Sequence, residues 1–192
     1  MRSAILSLAL LSLISLPVGA ADYVIDGGHS SVVFKIGHLG ASDFYGRFND
    51  VSGTIRFDEN DLKASSVKVV VKSGSVDTNS SNRDDHVKSP ELLNSEKHPE
   101  IVFEAKGFKE GKKPGIYQVN GTMKFNGVSK KITVTAKKIG SVNHQRFGQR
   151  IGFSCTFTIK RTEYNVKFPT NVLSDEVELM VALEGLVEKK EE

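Results

Sequence analysis

The chain has 192 residues, 39% hydrophobic and 26% charged, which is the size of one domain with a sizeable core rather than two. Its formal charge of +3 and pI near 8.9 come from Lys and Arg dispersed among 23 acidic residues, with no basic block and no Trp to stack on bases, so nucleic-acid binding is disfavoured. Cys155 is the single cysteine, which precludes an intramolecular disulfide and leaves stability to packing.

In chain order the first segment is "MRSAILSLALLSLISLPVGAAD": one Arg, an apolar run from Ala4 to Leu16, Pro17, then small residues up to Ala20 and Ala21. This predicts a secretory signal peptide over residues 1–21, cleaved near Ala20 or Ala21. The run is too short to span a bilayer comfortably, and no Cys near the cleavage site offers a lipid anchor. The mature domain is therefore expected to cover residues 22–192, to be exported, and to have no stable membrane span.

From there the sequence alternates with a period of two, the pattern of half-buried strands. "SVVFKIGH" puts Val32, Phe34, Ile36 and His38 on one face, which points His38 inward. "DVSGTIRFD" does the same with Val51, Gly53, Ile55 and Phe57, and "SVKVVVKSGSV" with Val67, Val69 and Val71. "EIVFEAKGF" carries Phe103, and "IYQVNGTMKFNGVSKKITVTAKK" carries Phe125 before Asn126 and Gly127, a strong hairpin signal. Two long late strands follow, about Gln149 to Arg161 with Phe153, Cys155 and Phe157 on one face, and about Glu176 to Val187. Such a meander of long strands suits a barrel, whose closure removes exposed edges, with bends allowed by Gly46, Gly53, Gly121 and Gly152.

One stretch does not alternate: "SVDTNSSNRDDHVKSPELLN", Ser75 to Asn94. Asn79, Ser80 or Ser81 can cap a helix with Asp84 and Asp85 in its first turn and Lys88 in its last, and Ser89, Pro90 and Glu91 read as the start of a second. Two short helices would cover one barrel end, with Leu92 and Leu93 inward as a plug and Arg83, Asp84 and His86 near the mouth. Arg83, His38 and His86 are candidates to hydrogen-bond a polar head group, or to fix the insert to the barrel by internal hydrogen bonds.

Catalytic patterns are weak. There is no Gly-x-Ser-x-Gly elbow, no Gly-x-Gly-x-x-Gly and no P-loop, and the five histidines lack metal-ligand spacing, so no enzyme activity, metal or cofactor is expected. Cys155 lies in an apolar row and reads as an inert buried thiol.

The segments "HSSVVFKIGHLG", "YGRFNDVSGTIRFDE", "SVDTNSSNRDDHVKSPELLNSEKHPEIVF", "VNGTMKFNGVSKKITV" and "VELMVALEG" together resemble the YceI-like family of bacterial periplasmic proteins, in family order and across nearly all of the mature chain. A departure occurs at Glu163, Tyr164 and Asn165, where members commonly carry an acidic residue, an aromatic and Gly; Asn tolerates the same left-handed turn. The resemblance implies an all-β, eight-stranded antiparallel, lipocalin-like barrel in the periplasm, with the helical insert capping one end. It further implies a non-enzymatic carrier of an isoprenoid lipid such as a quinone or polyprenyl phosphate, held in an apolar interior. Phe34, Ile36, Phe57, Val69, Phe103, Phe125, Phe153 and Phe157 are then the candidate wall. Two alternatives stay open: a solidly packed barrel serving stress response or protein interaction without a lipid, and a homodimer paired across an open sheet edge.

Overall fold

A computed structural model describes residues 21–187; the expected signal peptide falls almost wholly outside the described residues. Eleven strand segments and one α-helix follow each other as β1 (Ala21–Ile25), β2 (Ser31–His38), β3 (Ser42–Phe48), β4 (Val51–Phe57), β5 (Ser66–Lys72), β6 (Val76–Asp77), α1 (Ser81–Lys88), β7 (Glu100–Glu110), β8 (Ile116–Phe125), β9 (Val128–His144), β10 (Gly148–Lys160) and β11 (Leu173–Leu186). All pairings are antiparallel, and the sheet closes because β11 pairs with β10 on one side and with both β1 and β2 on the other.

The eleven segments make eight staves. β1 and β2 form one interrupted stave, β3 and β4 the next, β5 and β6 the third, since β2 pairs with β3, β1 with β4, β4 with β5 and β3 with β6. The three interruptions lie side by side and are tied to each other. Asn49 N–H donates to Ser75 O (3.0 Å), Asp50 N–H to Ser75 Oγ (3.0 Å), and a Cβ on Gly27 would stand only 2.8 Å from Val51 O. This wall therefore bends along one line, while the wall formed by β7 to β11 consists of long uninterrupted strands.

Alternation places one apolar row of each stave inside. At one end Phe57 stacks edge-on against Tyr117 (5.3 Å between centroids) and Phe153 (5.3 Å), with Phe108 at 6.3 Å. These rings close that end. The Asn126-Gly127 hairpin forms as expected, both residues at positive φ (44° and 78°), and Asn165 adopts the left-handed conformation (φ 61°) that its place in the sequence requires.

At the opposite end β6 does not continue alongside β7, and the chain from Thr78 to Pro99 fills the gap. Only one of the two expected helices is present: α1 forms, whereas Ser89 to Lys97 is a succession of turns. Leu92 and Leu93 are buried as the inward plug. Ser80 is the cap residue of α1 but makes no side-chain capping bond; instead Asp84 accepts from the Thr78 N–H (2.7 Å) and hydroxyl (2.6 Å).

Candidate functional site

The barrel encloses a cavity of about 230 Å³ lined almost wholly by carbon. An engineered apolar cavity of about 150 Å³ is enough to bind benzene. Seven sequence-predicted residues line it: Phe34, Ile36, Val69, Phe103, Phe125, Phe153 and Phe157. Several inward side chains, Phe34, Phe103, Phe157, Val181 and Leu183 among them, stay only half-buried because they border this empty volume rather than packing partners.

Two glycines shape the wall. Gly46 lies across from Phe34, and a Cβ there would overlap the Phe34 ring; Gly121 does the same for Phe103, whose Cζ would be 2.5 Å away. The expected role of these glycines as bends is thus supplemented by a steric one: their missing side chains let aromatic rings lie flat against the sheet. Gly53 (φ 139°) and Gly152, at the register shift between β9 and β10, do mark irregular backbone.

The other predicted residues stand elsewhere. Phe57 points inward but belongs to the aromatic closure of the far end, outside the cavity lining. His38 does not face the interior: it is exposed, because it is the last residue of β2, at the barrel rim immediately before the Leu39-Gly40 turn. Arg83 and His86 lie on exposed faces of α1, away from the cavity lining. Arg83 Nε donates to Thr78 Oγ1 (2.9 Å) and its guanidinium covers Phe44 at 5.2 Å, while His86 Nε2 is 3.2 Å from Glu91 and its ring 5.7 Å from Phe168. These contacts join the insert to itself and to the rim.

A residue that the sequence reading names only as a strand end is Arg161, 3% exposed and bordering the cavity. Its guanidinium donates to the carbonyls of Ser174 (2.9 Å), Val166 (2.9 Å), Leu173 (2.6 Å) and Pro169 (3.5 Å), tying down the crossing from β10 to β11. Burial lowers its pKa from the ordinary arginine value, with Asp175 opposing. The signal was present in the sequence: Arg161 continues the inward row of Phe153, Cys155, Phe157 and Ile159, so a charge falls where alternation demands an apolar side chain. Cys155 also lines the cavity, and burial pushes its thiol up to about 11, consistent with an inert group.

The wall has one long gap. β9 and β10 pair from His144 and Gly148 to Lys137 and Ser154 and then part, although β9 stays with β8 down to Val128 and β10 with β11 down to Lys160. Residues 128–136 and 155–160 face each other across a seam with no ladder. An outer hollow at the head of this seam shares Ser154, Cys155 and Val181 with the cavity, so the wall there is one residue thick.

Asp26, His29 and Glu184 form a cluster whose ligand atoms could in principle meet on a cation. The Arg150 guanidinium already sits there, 2.9 Å from Asp26 and hydrogen-bonded to Glu184, and it holds the Asp26 carboxyl below the usual range. The cluster joins the broken first stave to β10 and β11.

The YceI-like domain family model matches residues 23–185. Protein YceI of Escherichia coli O157:H7 is 40% identical over 172 residues, covering 88% of this chain and 89% of that one. Among solved structures, Burkholderia cenocepacia BcnA superposes with a TM-score of 0.76 at 20% identity, covering 83% of this chain and 98% of that one. A polyisoprenoid binding domain from Saccharophagus degradans gives 0.66 at 16% identity, covering 86% and 98%. At these identities the two structures establish the shared barrel.

Proposed function

The chain belongs to the YceI-like family, and from that premise we propose that it is a non-catalytic carrier whose barrel holds the isoprenoid chain of an amphiphilic lipid, a quinone or a polyprenyl phosphate, in the periplasm. The observation that carries this reading is the apolar cavity bounded by half-buried aromatic rings. A tail placed there gains about 0.8 kcal/mol per buried methylene, and the aromatic closure at one end leaves it a blind pocket. The structural neighbour described as binding polyisoprenoid has the same barrel, which adds support.

A solidly packed barrel acting only through its surface is disfavoured by the same empty volume. Arg161 contributes positive potential at the insert-covered end of an otherwise carbon-lined space, which suits an anionic or carbonyl head better than a cationic one. The test is native mass spectrometry of the protein purified from an exporting host, with organic extraction of whatever dissociates. A stoichiometric isoprenoid is expected; a bare polypeptide mass that stays unchanged after incubation with quinones and polyprenyl phosphates would refute the proposal.

A further inference from the structure

We propose that the tip of the β9–β10 hairpin is a docking surface for an anionic phospholipid bilayer. β8 stops pairing with β9 at Ile116 opposite Lys137, so β9 from Ile139 to His144 runs on without a partner on that side. At about 3.4 Å per residue this free edge extends about 20 Å past the end of β8. Three of the five large hydrophobic side chains that are exposed among the described residues lie on this hairpin: Ile139 (62%), Val142 (54%) and Phe147 (55%).

They share one face. Ile151 is buried inside the barrel, so its neighbours Arg150 and Gly152 face outward, and so do their partners Val142 and Gly140. Ile139 packs beside Gly152, and His144, two residues beyond Val142, brings its ring within 4.8 Å of Phe147. The apolar side chains thus form a ridge with small residues between them.

Along the hairpin itself the charge is of one sign. From Lys137 to Gly152 the sequence has four cations and no acidic residue. Lys138 is bound to Glu59 and Arg150 to Asp26 and Glu184, but Lys137 and Arg146 meet no acidic group among the described residues, and Arg146 lies over Phe147 at 5.3 Å. An apolar ridge carrying long cationic side chains that can lift their heads to the surface is the pattern of an interfacial anchor. A second copy of the chain fits less well, since it would bring Lys137 and Arg146 against their own kind.

The claim is independent of what fills the barrel. The chain has no Trp, so Phe147→Trp supplies a lone reporter. With vesicles of phosphatidylglycerol and phosphatidylcholine its emission is expected to shift to the blue, more weakly with phosphatidylcholine alone and less as salt rises. Sedimentation with the same vesicles should lose at least about tenfold in affinity when Ile139, Val142 and Phe147 are all replaced by Ser, with the melting temperature and the mass of any bound lipid unchanged. Should the triple variant be unstable, Arg146→Ser alone should lose several-fold at low salt only. Absence of vesicle binding by the unaltered protein, equal binding by the variants, or a dimer that the triple variant dissolves would each overturn the proposal.

Discussion

Single residues decide how much room the barrel keeps. Gly46 is the clearest case, because the Phe34 ring occupies the place of its missing side chain. Gly46→Ala is expected to push that ring into the cavity, costing about 1–3 kcal/mol in strain and lowering lipid occupancy, read by urea unfolding and native mass spectrometry of the same sample. An unchanged occupancy would mean that Phe34 does not bound the ligand. Arg161 acts in the opposite sense, holding four backbone carbonyls rather than making space. Arg161→Met preserves the stem but orphans those carbonyls, and a loss of about 3 kcal/mol is expected in denaturant titration. If stability is unaffected, the crossing from β10 to β11 is held by something else.

At the scale of elements, Asp84 ties helix α1 back to the residue where the insert begins. Its carboxylate accepts both Thr78 groups, and Thr78 is 2% exposed, so Asp84→Ala leaves a buried N–H without its partner. Hydrogen exchange in residues 79–88 should accelerate by an amount corresponding to about 1–3 kcal/mol, with amides of β8 and β9 unaffected. Equal acceleration in the barrel would show that insert and sheet unfold as one unit. The strands were legible in sequence because alternation is a local property, and so was the Asn126-Gly127 turn, whose backbone demands those residues. Alternation identifies a face, however, and says nothing about where a stave stops being inside. His38 and Phe57 fit their rows, yet one is past the rim and the other in the end closure. The seam was invisible for a related reason: β10 alternates well throughout and β9 as far as Ala136, and their parting beyond Lys137 and Ser154 is a matter of pairing between the two, which neither strand encodes alone.

The whole molecule should be acid-sensitive in a predictable direction. Asp26 is lowered chiefly by Arg150, Asp175 by its hydrogen bonds from Thr162, Asp77 by the Asn79 N–H and Glu100 by Lys72. Each folded value lies below the ordinary carboxylate value, so the unfolded chain binds more protons in that range. The stabilisation is present in full at neutral pH and is lost as the pH falls below about 4. The urea midpoint should therefore drop between pH 5 and pH 3, by less in Arg150→Met, which has already lost the Asp26 and Glu184 contacts. A midpoint independent of pH would show that these pairs do not differ between folded and unfolded chain.

Ring closure by β11 has a further consequence in time. The strand that meets β1, β2 and β10 is the last of the described strands, so the ring cannot close until every other stave has been delivered. Before that moment the seven preceding staves form an open, curved sheet with its greasy face uncovered. Under the proposed function, a lipid tail lying on that face would be wrapped when the final stave arrives, without having to be threaded into a finished container. Cargo acquired in this way would be fixed by the chain's folding history, whereas cargo acquired later would have to pass the seam.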